Sequence, residues 1–338
     1  MLELSCAVII AVALNVYLLL GGADYGGGVW DLLATGTRKE RQRRLIERSI
    51  GPIWEANHVW LIAAIVFLFT AFPPAFSRIM TFLHLPLLLM LLGIVFRGSA
   101  FAFRSYEARV DFRRRWGTVF AAASLLTPVL LGTVIGAIAW GRVDGELTSA
   151  AVFLTCWLGV FPLSVGVYAL AMVAFLAATY LTVEAEEEDL QEDFRRRALL
   201  SALFLGFMAA WVLGVASFQA PEILEDLTRT RWSWALHAVT AASALGAMAA
   251  LWRRHFHLAR ALAALQVSLI VWGWAFSQYP HLVKPDLTLY EAAAPAVTLR
   301  LLLIILAVGS LILAPSLYYL FRVFGKIGGP GAPAKNGT

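Results

Sequence analysis

Apolar residues run along this chain in long uninterrupted stretches. They show neither the strict alternation of strands nor the one-sided stripe of soluble helices. Nine stretches stand out, at 4–22, 52–71, 76–96, 117–140, 151–181, 199–217, 233–252, 261–278 and 298–321. Each is near the roughly 20 residues that a helix needs to cross a bilayer. Only helices and closed barrels satisfy their backbone groups in hydrocarbon, and barrel strands would alternate apolar and polar positions. The pattern therefore predicts an all-α integral membrane protein with nine crossings. The first is allowed to continue past Gly26-Gly27-Gly28 toward Leu33, loosened at the glycines. A polytopic membrane unit is expected over 1–324. A disordered tail is expected over 325–338, where glycine and proline dominate. No basic region precedes the first stretch, so it reads as a retained crossing and not as a signal peptide.

Composition agrees. The chain is 60% hydrophobic and 14% charged, against about 45–50% and about 25% in soluble domains. The formal net charge of +5 would suggest nucleic acid in a soluble protein. Here it follows from the sorting of basic residues between the two membrane faces. With nine crossings, 21 of the 27 lysines and arginines fall on one side, in 23–50, 97–116, 195–197, 253–260 and the C-terminal segment. The positive-inside rule makes that side cytoplasmic and places the N-terminus outside and the C-terminus inside. Cys6 and Cys156 both lie in apolar runs and read as buried small hydrophobes rather than a disulfide or a metal pair.

The informative positions are the polar ones within the apolar runs. Ile50-Gly-Pro-Ile-Trp-Glu-Ala-Asn-His-Val-Trp-Leu61 opens the second stretch with a carboxylate (Glu55), an amide (Asn57), an imidazole (His58) and two indoles (Trp54, Trp60). An ionisable group at mid-bilayer costs roughly 2.5–3.5 kcal/mol on insertion scales, so such groups usually face a protein interior and act there. Pro52 suits a first helical turn, which places Glu55 near the cytoplasmic mouth with His58 three residues on. Glu55 reads either as a proton-uptake point or as a carboxylate stabilising a helix start or pairing with a loop arginine. Asp24, among five glycines, reads as a buried acid in a proton path or subunit contact, or as a turn residue at the membrane surface. Asp31 reads as an ordinary interfacial residue. Arg97, at the end of the third stretch, can pair with Asp24 or Glu55 or reach lipid phosphates. The histidines show no metal-ligand spacing within a crossing, so buried hydrogen-bonding roles are preferred to haem ligation.

Three segments resemble subunit II of the cytochrome bd quinol oxidases. They are Gly22-Ala-Asp-Tyr-Gly-Gly-Gly28, Ser49 to Leu61, and Phe96-Arg-Gly-Ser-Ala-Phe-Ala-Phe-Arg104. The family pattern there is close to Gly-Phe-Asp-x-Gly, Ile-x-Pro-x-Trp-Asp-x-Asn-x-Val-Trp-Leu and Arg-Gly-x-x-Phe-Glu-Phe-Arg. This resemblance implies two four-helix bundles plus a peripheral ninth helix. It implies a heterodimer in the bacterial inner membrane with a subunit I that carries the b and d haems and the quinol-oxidising loop. A small single-span accessory subunit is allowed. Subunit II is expected to bind no haem or metal and to contribute no catalytic residue of its own, though a structural quinone within it is allowed. By the same resemblance, Glu55 lines a cytoplasmic proton path and Trp60 marks the mouth of an oxygen route. Asp24 and Arg97 support the haem region or the subunit interface, while Trp54 and Asn57 belong to the motif without an assigned role. The chain departs from the pattern in Glu for Asp at 55, Ala for Glu at 102 and Ala for Phe at 23. His58 and His84 stand where histidine is unusual.

The function expected is thus membership of a complex that oxidises quinol and reduces oxygen to water, with this chain offering proton entry and lateral support. An ion-coupled secondary transporter is an alternative, since it too combines broken helices with intramembrane acids. A purely structural scaffold is another.

Overall fold

The computed structural model describes residues 1–50, 54–106, 109–143, 151–228 and 230–327. Thirteen helices and one small hairpin follow one another along these residues. Helix α1 (Leu2–Leu32) is followed by the amphipathic α2 (Lys39–Ile50), α3 (Trp54–Ala71), the short α4 (Pro73–Phe82) and α5 (His84–Tyr106). Then come α6 (Val110–Trp140), the single turn α7 (Val152–Thr155), α8 (Val160–Glu184), α9 (Glu188–Gln219), α10 (Pro221–Thr228), α11 (Arg231–Trp252) and α12 (Phe256–Gln278). Strands β1 (His281–Val283) and β2 (Leu287–Thr288) pair antiparallel before the last helix, α13 (Ala296–Ile327).

Eight helices are long and apolar enough to cross a membrane, and a ninth crossing is made if α3 and α4 count together. These two meet at a bend of 116°. The bend corrects the expected third crossing over 76–96. Pro73 and Pro74 cannot continue a helix through Phe72, so the chain turns there and the next true crossing is α5, from His84. The helix α1 runs unbroken through Gly26-Gly27-Gly28 to Leu32. The last helix runs from Ala296 to Ile327, and its apolar span ends at Leu320. The remainder of the expected tail, 328–338, lies outside the described residues, as does Pro52. The hairpin was not expected, because its strands are too short to leave a pattern.

Helix α8 sits at the centre, with 67% of its most apolar stretch buried against 6% for α13 at the periphery. It packs against α1, α6, α9 and α12. The cause lies in its side chains, since Gly166, Ala169, Ala171, Ala174, Ala177 and Ala178 let neighbouring backbones come close. A side chain at Gly26 of α1 would strike the carbonyl of Val173. A methyl at Gly132 of α6 would stand 2.8 Å from the Cα of Gly166. Both helices are therefore pressed onto α8 at positions where any larger residue separates them. Cys6 and Cys156 are buried and free, in one apolar cluster with Phe72, Leu83 and Val283.

The two ends of the bundle differ in chemistry. At one end, arginines of α2 and of the segment before it cross to the acidic start of α9. Arg38 grips Asp193 through Nε and Nη2 at 2.8 and 2.6 Å, Arg41 meets Glu187, and Arg260 of α12 reaches Glu184. The opposite end carries the hairpin. There Arg78 donates to both carboxylate oxygens of Asp286, at 2.6 and 3.2 Å, and the amide of Ala294 donates to the carbonyl of Ala71 at 2.8 Å. The nearly buried Lys284 donates to Asp226 at 2.7 Å.

Two outcomes are expected. Gly26→Leu forces α1 away from α8 and lowers the midpoint of thermal unfolding in detergent, whereas Gly206→Leu, which meets open space, leaves it unchanged. The Arg78 hydrogen bonds hold the Asp286 carboxyl below its usual range. Their contribution to stability is therefore complete above the unfolded carboxylate pKa of about 3.9 and disappears as pH falls through the lowered folded value. Thermal scans of wild type and Asp286→Asn between neutral and strongly acid pH should converge only at the acid end.

Candidate functional site

Three helices build a polar cluster inside the membrane-spanning region. Helix α1 supplies Tyr17, Asp24 and Tyr25. The first turns of α3 supply Asn57, His58 and Trp60, and α5 supplies Arg97. Tyr17 and Tyr25 lie two helical turns apart on one face of α1, and their hydroxyls approach to 3.2 Å. Asn57 and His58 are consecutive and so diverge by about 100° around α3. This separation lets Asn57 donate through Nδ2 to Asp24 Oδ2 at 2.6 Å, while Nδ1 of His58 stands 3.5 Å from the Tyr17 hydroxyl. Trp60 packs half-buried against a small cluster of Tyr17, Tyr25, Leu61 and Val173.

Arg97 is 2% exposed. Its guanidinium carbon lies 4.6 Å from the centroid of the Tyr25 ring and 5.4 Å from that of Phe120. Among the described residues it makes no ion pair with Asp24 or Glu55, and its Nε and Nη2 have no hydrogen-bond partner. The two ring faces supply the negative potential that the cation meets. Their attraction offsets only part of the cost of holding a charge away from water.

Glu55 is exposed on this chain, roughly opposite Asn57 around the first turn of α3. It does not join the cluster. The Trp54 side chain lies outside the described residues. His84 and His237 stand elsewhere, their rings hydrogen-bonded to the carbonyls of Thr81 and Leu227 at 2.8 and 2.9 Å.

Two features escaped the sequence reading. Asp31, taken as ordinary, is 2% exposed and receives both Nη atoms of Arg104 at 3.0 and 3.2 Å, with Nε of Arg43 at 3.8 Å. The signal was present, since Asp31 lies seven residues beyond Asp24 on α1 and Arg104 seven beyond Arg97 on α5. The second feature is a cavity of about 300 Å³ between α1, α6, α8, α9, α10, α11 and α12. Its walls are almost wholly apolar, and Tyr17 of the polar cluster forms part of them.

The profile of the cytochrome bd terminal oxidase subunit II family matches residues 2–324. The chain belongs to that family. Its sequence is similar to cytochrome bd ubiquinol oxidase subunit 2 of Bacillus subtilis, with 26% identity over 60% of each chain. A putative cytochrome bd menaquinol oxidase subunit II of the same organism is 22% identical over 96% of this chain and 97% of its own. Cytochrome bd-I ubiquinol oxidase subunit 2 of Escherichia coli is 27% identical over 61% of this chain and 55% of its own length. The first and third of these matches thus span about 55–60% of those relatives. The bd oxidase structure from Geobacillus thermodenitrificans has the same fold, with a TM-score of 0.74, 22% identity and coverage of 96% of this chain and 98% of that one. The three segments singled out in the sequence therefore fall in a family of multi-pass oxidase subunits. They contribute Asp24, Asn57, Arg97 and Arg104 to two buried polar clusters 7 residues apart on α1 and on α5.

Removing one member of the Asp31–Arg104 pair leaves its partner a weaker companion, Arg43 at 3.8 Å for Asp31 and Glu47 at 3.9 Å for Arg104. Asp31→Asn or Arg104→Met should each cost less than the roughly 3–5 kcal/mol of a fully stranded buried charge. The double variant should cost less than the sum, as read from denaturant or thermal unfolding of the assembled protein. Additive costs would mean that the two groups do not interact.

Proposed function

We propose that this chain is the non-haem subunit of a quinol-oxidising, oxygen-reducing complex in a bacterial cytoplasmic membrane, paired with a haem-bearing subunit I. The observation that carries the reading is the buried cluster of Asp24, Asn57, Tyr25 and Arg97, within the family's own motifs. Haems of the partner supply electron transfer and oxygen reduction, and those steps take place outside this chain. Reducing oxygen to water consumes protons, and the part of this chain is to deliver them. The basic end of the bundle faces the cytoplasm in this reading, as the asymmetry of lysine and arginine supports.

Glu55, open at the start of α3, takes up protons from that side and faces subunit I. A carboxyl group suits the task because its affinity for a proton rises when the partner covers it and falls when a cation approaches. Asn57 holds Asp24 in one rotamer through the 2.6 Å hydrogen bond. Asp24, half-buried, keeps this face of the bundle polar toward the partner with the buried charge of Arg97 behind it, and a separate hydrogen-bonded set of Tyr17, Tyr25 and His58 stands beside it. Trp60, half-buried beside them, borders the apolar side by which oxygen approaches. The cavity suits a structural quinone in size and apolarity. It would exclude water around the ring, and Tyr168 would stand beside it.

The test uses the assembled oxidase. Glu55→Gln should lower turnover about 100-fold or more, the range typical of general acid–base groups, with haem content intact. Asp24→Asn should lower haem retention as well, because it weakens the face toward the partner. Unchanged turnover with full haem content in both variants would favour a scaffold instead.

A further inference from the structure

Four helix ends meet at the basic end of the bundle. Helix α8 stops at Glu184, α9 starts at Glu188, α11 stops at Trp252 and α12 starts at Phe256. Between them lies an open cleft of about 580 Å³, lined by Val183, Gln191 and the run from Arg254 to Leu258. Its size falls within the roughly 300–1,000 Å³ usual for ligand sites. The lining is of two kinds. Arg254, His255, His257 and Gln191 can hydrogen-bond, whereas Val183, Phe256 and Leu258 are apolar.

Positive charge outnumbers negative around this cleft. Arg195 donates to both carboxylate oxygens of Glu192 at 2.7 Å, Arg196 to one of them at 3.1 Å, and Arg254 to the other at 3.3 Å. One carboxylate therefore serves three guanidiniums. Arg260 is matched by Glu184 at 3.3 Å. Arg253 is exposed and enters no ion pair among the described residues. Other acids of the α8–α9 turn are engaged elsewhere, Glu186 with Arg48, Glu187 with Arg41 and Asp189 toward Arg38. Glu188 is exposed one turn before Glu192. Five guanidiniums thus stand against three carboxylates, Glu184, Glu188 and Glu192, and two positive charges are in surplus. Arg254 has a φ of 62°, in the left-handed region that suits glycine. The turn therefore holds a guanidinium at the cleft where the backbone would be easier without a side chain.

Position selects the ligand. The cleft is formed by the ends of membrane-crossing helices, so it opens at the level of the lipid headgroups. Trp252 and Leu258, 75% and 53% exposed, border it with apolar surface, and tryptophan favours that interfacial level. We propose that the cleft binds the headgroup of an anionic phospholipid, its phosphate against Arg254 and Arg253 and its acyl chains along Trp252 and Leu258. Basic pockets between helices at a membrane surface hold such headgroups. The site shares no residue with proton delivery, so it stands or falls independently of that assignment.

The experiment uses the assembled oxidase, stripped of lipid in detergent and titrated with phosphatidylglycerol or with phosphatidylcholine of the same acyl chains. Bound lipid per complex is read by native mass spectrometry. The wild type should bind phosphatidylglycerol more tightly than phosphatidylcholine. Arg254→Gly removes a cation from a backbone that accepts glycine, and Arg253→Gln removes its neighbour. Each should weaken phosphatidylglycerol binding about 5-fold, the effect of one basic residue at an anionic membrane surface. Phosphatidylcholine binding and haem content should not change. Arg115→Gln, on α6 and outside the cleft, should alter neither lipid. Equal affinity for the two lipids in the wild type would overturn the proposal, as would unchanged phosphatidylglycerol binding in both cleft variants. Inorganic phosphate that binds as tightly as the lipid would make the cleft a simple anion site and overturn the lipid assignment. If neither variant assembles, the wild type decides with phosphatidylglycerol carrying a photoactivatable acyl chain. Crosslinks within 252–262 support the site, and crosslinks confined to other segments overturn it.

Discussion

The close approach of α1 and α6 to the small-residue surface of α8 is the constraint on which the arrangement depends. A membrane gives helices no hydrophobic reason to associate, because lipid tails are as apolar as their side chains. Contact must come from surfaces that fit. Gly26 and Gly132 provide the fit here, each placed where an added carbon would meet α8. The rotation of α1 about its own axis is fixed by the first of these contacts. With Gly26 against Val173, its neighbours Asp24 and Tyr25 turn toward α3 and α5, where Asn57 and Arg97 meet them. The polar cluster is thus a consequence of apolar packing one residue away.

The cavity borders the same helix. Phe161, Tyr168 and Met172 of α8 line it together with Gly132 and Gly136 of α6, although α8 packs as closely against α9 as against α6.

Much of this was legible in the sequence. Long apolar runs fixed the helices, and the lysine and arginine distribution separated the two ends. The intramembrane polar residues pointed to Asp24, Asn57, His58 and Arg97 before any contact was known. What was not legible depended on direction around a helix axis. Continuous apolar helices carry no stripe, so nothing in the run 52–71 told that Glu55 would be exposed while Asn57 was buried. Nor could spacing tell that Arg97 would lie on aromatic rings. Asp31 was misjudged although its seven-residue offset from Asp24 matches that of Arg104 from Arg97. The bend after Ala71 was missed because hydropathy stays high through Phe72-Pro-Pro, although two consecutive prolines are a sufficient reason for the chain to turn.

That bend leaves the last carbonyls of α3 without helical partners of their own. The amide of Ala294 donates to the carbonyl of Ala71 at 2.8 Å, so the segment after the hairpin supplies the cap that α3, stopped by two prolines, does not build for itself.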